Sequence, residues 1–140
     1  MENVRTLPVR FFANASRFGD RTCFASRSSE GWKTLSWRES ERMVRVISSN
    51  LVKQGIAPGD RIVLLSENRP EWALFNIAIM NVGAIVVPAY TTHTEIDLAH
   101  IIDLVEPAAA ITSASTVQRF LLSARNSGGL KMLWAEDDQG

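Results

Sequence analysis

The chain has 140 residues and a formal net charge of zero, with 15 lysine and arginine residues against 15 aspartate and glutamate residues. Hydrophobic residues make up 46% and charged residues 21% of it, which excludes a disordered or low-complexity protein. The length suits one domain with a hydrophobic core of its own. The charge balance argues against a nucleic-acid or polyanion binder that works through bulk electrostatics.

The beginning of the chain predicts a helix followed by a small hairpin. Residues 8–18 place their apolar side chains on one side, and Gly19 ends this helix. Residues 22–26 and 32–35 are predicted strands joined by a polar, glycine-containing turn. We therefore expect region 22–35 to form an antiparallel hairpin.

The second helix carries clear signals at both ends. Ser36 can cap it, and Glu39, three residues later, completes a capping box. Gly55 fits a left-handed cap at the carboxyl end. Its apolar stripe is predicted at Trp37, Val44, Ile47 and Leu51.

From residue 60 onward, strands and helices alternate. Short apolar runs predict strands at residues 61–65, 84–87, 108–112 and 130–134. Amphipathic or apolar segments between them predict three helices. This order implies βαβ units, a parallel sheet and right-handed crossovers in region 60–135. The predicted fold class is α/β.

Caps and prolines set the expected limits of these elements. Asn68 with Glu71 is predicted to cap the helix that Pro70 opens, which runs to about residue 81. Pro88 is predicted to end the second strand. The remaining signals are the Thr94 and Asp97 capping box, the stop at Pro107, the cap at Ser113 and the stop at Gly128 and Gly129.

The helix at 70–81 is apolar almost all round. A sheet covers one side of such a helix, so a second side needs another partner. We expect the far side to face solvent or a lost interface; its candidates are Leu74, Ile77, Ala78 and Asn81. The alternative is that the first helix folds across this surface through its phenylalanines, Phe11, Phe12 and Phe18.

One long uncharged stretch raises the question of a membrane span. Residues 72–94 contain no Asp, Glu, Lys or Arg, but polar and breaker residues interrupt them, which favours a helix and a buried strand. The first five residues lack the pattern of a signal peptide. The single cysteine, Cys23, excludes a disulfide framework. We therefore expect a cytoplasmic chain, with peripheral membrane association of a longer parent chain left open.

The search for chemistry by pattern is mostly negative. Neither G-x-G-x-x-G nor G-x-x-x-x-G-K-[ST] occurs, so both common phosphate cradles are missing. The turn at 66–70 could attract an anion through its free amides, but a plain cap at Asn68 explains it as well. His93, Asp97 and His100 have the spacing of metal ligands, yet Asp97 is better explained by the capping box.

Other candidate residues have structural explanations. Cys23 lies in a strand without a nearby histidine, which favours an inert buried thiol. The arginines of the second helix alternate with glutamates and predict a solvated face; they are Arg38, Arg42 and Arg45. The four tryptophans suit core packing; they are Trp32, Trp37, Trp72 and Trp134.

Four stretches carry a family resemblance. They are Thr-Leu-Ser-Trp-Arg-Glu at 34–39, Leu-Val-Lys-Gln-Gly-Ile-Ala-Pro-Gly-Asp-Arg-Ile-Val-Leu-Leu at 51–65, Ser-Glu-Asn-Arg-Pro-Glu-Trp at 66–72 and Gly-Ala-Ile-Val-Val-Pro-Ala-Tyr at 83–90. Together they resemble the N-terminal part of AMP-forming acyl-CoA synthetases, over residues 7–134. The forms at 67–72 and 88–92 look most like bacterial long-chain fatty acid–CoA ligases.

The chain departs from the family pattern at two places. His93 stands where relatives often carry Asn, and Leu-Val-Glu-Pro at 104–107 replaces a more usual acidic-Ser-Gly turn. Both departures lie in or near turns, so they bear only on the subgroup.

The resemblance implies a parent enzyme that activates a carboxylic acid with ATP and Mg²⁺ as an acyl-adenylate, and then transfers it to coenzyme A. The family's phosphate loop, acidic Mg²⁺ ligand and C-terminal lysine match no position here. We therefore predict no catalytic, cofactor-binding or metal residue within 1–140, which is expected to be an incomplete N-terminal part of the adenylation domain. Its expected partners are the ATP-binding subdomain and C-terminal domain of the same enzyme, with a fatty acid as the parent's substrate.

Two alternatives stay open. One is a free-standing α/β module that binds a nucleotide at the carboxyl ends of its strands. The other is an interaction fragment that associates through its apolar surface.

Overall fold

Helices and strands alternate along the computed structural model of the chain, which describes residues 6–125, 130 and 132–136. The elements of this part are α1 (Leu7–Phe18), β1 (Thr22–Ser28), β2 (Gly31–Ser36), α2 (Trp37–Lys53), β3 (Arg61–Leu65), α3 (Pro70–Asn81), β4 (Ile85–Ala89), α4 (Glu95–Val105), β5 (Ala109–Ser113), α5 (Ala114–Ser123) and β6 (Met132–Glu136).

The strands form two separate sheets. β1 and β2 pair antiparallel as the predicted hairpin, while the other four strands form a parallel sheet in the order β4-β3-β5-β6. The predicted α/β class and the parallel arrangement of all four strands are confirmed. The observed strand bounds differ from the predicted ones by no more than two residues.

Both faces of the parallel sheet are covered. Ile62 and Leu64 of β3 join a core with residues of α1, α2 and α3, whereas Val63 and Leu65 join a second core with residues of α4 and α5. Successive side chains of a strand point to opposite faces, so one fully apolar strand supplies both cores. β3 is therefore the centre of the fold.

The expectation that α3 exposes an apolar side is wrong. Leu74 and Ala78 are fully buried and Ile77 is nearly so, while Asn81 is the exposed member of the predicted set. The physical reason is a second helical layer, because α1 and α2 pack over α3 on the side away from the sheet. The first helix covers this surface, as the alternative expects: Phe11 lies in this core and Phe12 packs against it. Phe18 does not belong to this core, and its ring lies 5.7 Å from that of Trp37.

Several predicted caps are confirmed. Ser36 and Glu39 form the predicted capping box, as do Thr94 and Asp97, with Thr94 N–H donating to the Asp97 carboxylate at 2.8 Å. Gly55 has the left-handed conformation expected of a cap, with φ of 88°.

Three signals are corrected. Asn68 does not cap α3, whose N-cap is Arg69, because Pro70 at the first helical position forces the preceding residue into an extended conformation. Pro88 does not end β4, which continues to Ala89; β4 pairs only with β3 in the described part, and an edge strand tolerates a missing N–H. Ser113 is at the N-cap of α5 but makes no capping hydrogen bond. The predicted stop at Gly128 and Gly129 lies outside the described residues.

The tryptophans divide between core and surface. Trp37, Trp72 and Trp134 contact the core shared with α3, as expected. Trp32 is 71% exposed on the hairpin, so its predicted core role is wrong. A two-stranded sheet packs one face against α2, and alternate side chains of its strands then face solvent. Within the described residues, no helix combines the length and apolar character of a membrane span.

Candidate functional site

The strand order creates a crevice between the carboxyl ends of β3 and β5. After β3 the chain passes through α3 to β4 on one side, and it then crosses back through α4 to β5 on the other side of β3. Such a reversal of strand order opens a crevice at the carboxyl ends of the two central strands, where open α/β sheets bind ligands. A ligand site is therefore expected at this crevice.

A carboxylate of the protein itself occupies this crevice. Glu67 follows β3, and its Oε1 accepts hydrogen bonds from the hydroxyls of Ser113 at 3.1 Å and of Ser115 at the start of α5. Thr116 Oγ1 lies 2.9 Å from Ser113 Oγ and donates to the Leu65 carbonyl at 3.1 Å. The loop after β3 is therefore tied to the first turn of α5.

The surroundings of Glu67 favour its ionised form. Burial by itself raises the pKa of Glu67, but the hydroxyls of Ser115 and Ser113, its own backbone amide and nearby Arg69 together hold the pKa below its usual value. Its second oxygen, Oε2, is buried and has no hydrogen-bond partner among the described residues. A negative charge next to the amino end of α5 is also favoured by the helix dipole.

A small cleft lies beside this carboxylate, between the ends of β3 and β4. Its volume is about 210 Å³, and its lining residues are Ser66, Glu67, Asn68, Trp72, Pro88, Ala89, Tyr90 and Thr91. Typical small-molecule sites occupy roughly 300–1,000 Å³. The cleft is therefore too small for a whole nucleotide and fits at most part of a ligand.

The loop after β4 is held in place by α5. Arg119 donates to the carbonyl oxygens of Thr91 and of His93, the latter at 3.1 Å. The His93 ring meets Tyr90 edge-on at 5.3 Å, and its Nδ1 accepts the Tyr90 N–H at 3.3 Å. Hydrogen bonds between side chains and the backbone therefore stabilise this loop, and the His93 side chain interacts with Tyr90 of the same loop.

The structure also places the other candidates named from the sequence. His93 lies before α4 and Asp97 is used in the capping box, so the spacing of a three-ligand helix face is not realised. Among the described residues no group of three or more His, Cys, Asp or Glu side chains could hold a metal ion.

Cys23 is half-buried in β1. Burial raises the pKa of the Cys23 thiol more than its contact with Ser40 lowers it. A thiol with a raised pKa is a poor nucleophile near neutral pH.

A second cleft, of about 360 Å³, lies between the hairpin, α2 and the start of α3. Its lining is mixed: four residues are apolar and four are polar or charged, namely Phe24, Leu35, Met43 and Pro70, and Ser26, Lys33, Thr34 and Glu71. Glu71 pairs with Arg69 at 3.3 Å.

The sequence pattern does not predict the Glu67 cluster, which consists of Glu67, Ser113, Ser115 and Thr116. In the sequence these residues belong to a turn after one predicted strand and to a cap after another. The available signal was that both segments directly follow parallel strands, whose carboxyl ends meet at one edge of the sheet.

Comparison with known proteins gives consistent matches over most of the chain. The sequence pattern of a family described as AMP-binding enzyme matches residues 11–137. A long-chain-fatty-acid–CoA ligase of Mycobacterium tuberculosis is 29% identical over 102 residues, which cover 73% of this chain and 17% of that protein. The chain thus spans about a sixth of the length of such curated relatives.

Solved structures share the fold. The A domain of a carboxylic acid reductase from Segniliparus rugosus, in complex with AMP and a co-purified carboxylic acid, superposes with a TM-score of 0.84 at 20% identity, covering 96% of this chain and 24% of that one. A long-chain-fatty-acid-CoA ligase from Archaeoglobus fulgidus gives a TM-score of 0.83 at 18% identity, covering 94% of this chain and 27% of that one.

Proposed function

The chain belongs to the AMP-binding enzyme family, and from this premise we propose that it forms the N-terminal part of the adenylation domain of a long-chain fatty acid–CoA ligase. The observation that carries the proposal is a difference in coverage. The family matches residues 11–137, nearly the whole chain, while the chain spans only 17% of its mycobacterial relative.

The parent reaction in this proposal has two steps. The fatty acid carboxylate attacks the α-phosphate of ATP, which gives acyl-adenylate and pyrophosphate, and the coenzyme A thiol then displaces AMP. The described residues do not fit the phosphates of ATP. The ionised Glu67 carboxylate occupies the crevice between β3 and β5, where it already accepts the hydrogen bonds of the Ser113 and Ser115 hydroxyls. We therefore assign the ATP, Mg²⁺ and coenzyme A sites to other parts of the parent enzyme.

The role proposed for this chain is structural. Ser113 and Ser115 fix the loop after β3, and Arg119 fixes the loop after β4. Both loops lie at the carboxyl edge of the parallel sheet, where the rest of an adenylation domain would meet it. In this proposal the chain supplies a rigid edge and no catalytic residue.

The test is to read the coding sequence beyond codon 140 and to assay the protein it encodes. We expect the reading frame to continue into a Ser/Thr/Gly-rich loop ending in Pro-Lys-Gly. We also expect the full product to form acyl-CoA from a long-chain fatty acid, ATP and coenzyme A. A stop codon at that point, or a full product without acid-dependent release of pyrophosphate, would contradict the proposal.

A free-standing binding module remains the second candidate, and one observation favours it. Helices of the chain itself cover both faces of its parallel sheet, and the large apolar side chains Leu74, Ile77 and Ile79 of α3 are buried without a partner chain. Equilibrium dialysis of the 140-residue chain with AMP and ATP separates the two candidates. The ligase proposal expects no tight binding to this chain alone.

A further inference from the structure

The small cleft between the ends of β3 and β4 combines a carboxylate with two aromatic rings. Among the described residues that line it, Glu67 alone is charged, and Trp72 and Tyr90 supply the rings. The other lining residues are small, polar or proline, namely Ser66, Asn68, Pro88, Ala89 and Thr91. The cleft is therefore electronegative and partly aromatic, and the structural role proposed above for the loops does not use this combination.

The Glu67 carboxylate keeps one oxygen that the protein does not use. Ser113 and Ser115 both donate to Oε1, whereas Oε2 is buried and accepts no hydrogen bond from any residue that the structure describes. A buried carboxylate oxygen without a donor is costly, and native proteins pair such atoms with a ligand, a water or an ion. Because the terminal torsion of a glutamate is soft, a small rotation presents Oε2 to a donor bound in the cleft.

The charge of Glu67 is left without a salt bridge of its own in the described part of the chain. The positive charge of Arg69 acts on Glu67, but Arg69 Nε lies 3.3 Å from Glu71 Oε2 and already has a carboxylate partner. Arg69 thus supplies one positive charge against the negative charges of two glutamates. The hydroxyls that bind Glu67 are neutral, so the cleft attracts a cation and repels an anion.

The walls of the cleft favour an organic cation over a metal ion. Mg²⁺ and Ca²⁺ need about six or more oxygen ligands, and no group of three or more His, Cys, Asp or Glu side chains that could hold a metal ion occurs among the described residues. An ammonium group within about 6 Å of a tryptophan or tyrosine ring is attracted by the face of the ring. The volume of about 210 Å³ accommodates a short alkyl chain as well.

We propose that this cleft binds a primary alkylammonium group, with the Glu67 carboxylate as its counter-charge and the rings of Trp72 and Tyr90 along its alkyl chain. An ammonium group has three N–H donors, and the side-chain oxygens of Asn68 and Thr91 are further acceptors in the same lining. The group belongs either to a lysine side chain of another protein segment or to a free small amine. The proposal goes beyond the proposed ligase function and does not depend on it, since its test measures no enzymatic activity.

The experiment is a titration of the ¹⁵N-labelled 140-residue chain with n-butylammonium chloride, followed by NMR. We expect saturable shifts of the Tyr90 and Thr91 amide signals and of the Trp72 indole signal, with a dissociation constant on the order of 1 mM. The same concentrations of n-butanol, which lacks the charge, should give no saturable shift of these signals. Potassium chloride, which lacks the alkyl chain, should give none either.

Two variants test the two halves of the proposed site. Glu67→Gln removes the counter-charge and should weaken butylammonium binding about tenfold. Tyr90→Leu keeps an apolar side chain but removes a ring, and it should weaken binding about threefold. Tyr90 is 72% exposed, so this variant leaves the core intact and keeps the test open if Glu67→Gln folds poorly.

The matched control is Glu95→Gln, which removes one negative charge from the exposed first turn of α4. It should bind butylammonium like the unaltered chain. Equal saturable shifts with potassium chloride or n-butanol, absence of saturable binding, unchanged affinity in Glu67→Gln, or an equal loss in Glu95→Gln would overturn the proposal.

Titration with Nα-acetyl-lysine methylamide separates the two sources of the ammonium group. If this compound binds as tightly as butylammonium, the cleft accepts a lysine side chain with its backbone attached. If only butylammonium binds, the backbone is excluded and the ligand is a free amine. Either result supports an alkylammonium site once the carboxylate and ring variants have weakened binding as expected.

Discussion

The Ser113 hydroxyl donates a 3.1 Å hydrogen bond to Oε1 of Glu67, although 46 positions separate the two residues in the chain. The contact crosses from the carboxyl end of β5 to that of β3, at the point where the strand order reverses. In many α/β sheets a ligand anion occupies this place. Here a side chain of the protein supplies the negative charge.

Replacing this carboxylate should reduce stability in a pH-dependent way. Glu67→Gln removes the charge that Ser113 and Ser115 stabilise, and we expect a loss of about 1 kcal/mol in the free energy of unfolding near neutral pH. The folded-state pKa of Glu67 lies below its usual value. The contribution of Glu67 to stability is therefore fully present above the pKa that this residue has in the unfolded chain. It is lost as the pH falls through the pKa of Glu67 in the folded chain.

Urea denaturation at several pH values measures this effect. The difference in the free energy of unfolding between the unaltered chain and Glu67→Gln should become smaller as the pH is lowered. Glu30→Gln, at the exposed hairpin turn, serves as the control and should leave stability nearly unchanged. A difference that stays constant with pH would mean that the carboxylate charge contributes nothing.

The turn that departs from the family pattern carries local strain. Glu106 adopts φ of 45°, the positive-φ conformation of a non-glycine residue at the end of α4. A side chain in this region costs about 1 kcal/mol, which glycine avoids. Glu106→Gly should therefore raise the free energy of unfolding by about that amount, because the Arg61 contact uses only the Glu106 carbonyl.

The control for this prediction lies two residues earlier. Leu104 is 72% exposed within α4, and Leu104→Gly should lower stability by about 1 kcal/mol through helix propensity. Relative to the unaltered chain, the midpoint temperature of thermal unfolding should rise for Glu106→Gly and fall for Leu104→Gly. A destabilised Glu106→Gly variant would show that the left-handed conformation carries no cost here.

The sequence predicted the fold well because local signals and long-range pattern agree. The capping boxes at Ser36 and Thr94 depend only on neighbouring residues, and both formed as expected. The alternation of strands and helices implies parallel pairing through the handedness of the crossovers. These features need no knowledge of tertiary contacts.

The features that the sequence did not predict correctly are those that depend on tertiary contacts. The coverage of α3 depends on α1 and α2 folding back over it, which a helix pattern by itself does not specify. Pro88 could be placed inside β4 only once β4 was known to be an edge strand. The Glu67 cluster depends on the register of β3 beside β5, so its residues looked like unrelated turns and caps in the sequence.

The buried state of α3 predicts a large effect from a core substitution. Leu74 is fully buried between the sheet and the outer helices, and Leu74→Ala should cost about 2–5 kcal/mol. Leu121→Ala, at a position 50% exposed, should cost much less. If urea denaturation gave similar small losses for both variants, the packing of α1 and α2 over α3 would be wrong.

Two glycines with similar backbone conformations separate strain from crowding. Gly83 has φ of 79°, and an added Cβ would lie 3.1 Å from Pro58 Cβ, whereas Gly55 has φ of 88° and open space around it. Gly55→Ala should therefore cost about 1 kcal/mol for the left-handed conformation alone. Gly83→Ala should cost about 2–3 kcal/mol, because the new methyl group also displaces Pro58 from the loop that leads into β3. The free energies of unfolding of the two variants give the comparison directly. If both substitutions lowered the free energy of unfolding equally, the 57–60 turn would move aside for the new methyl group without cost. Gly83 would then be required only for its backbone conformation.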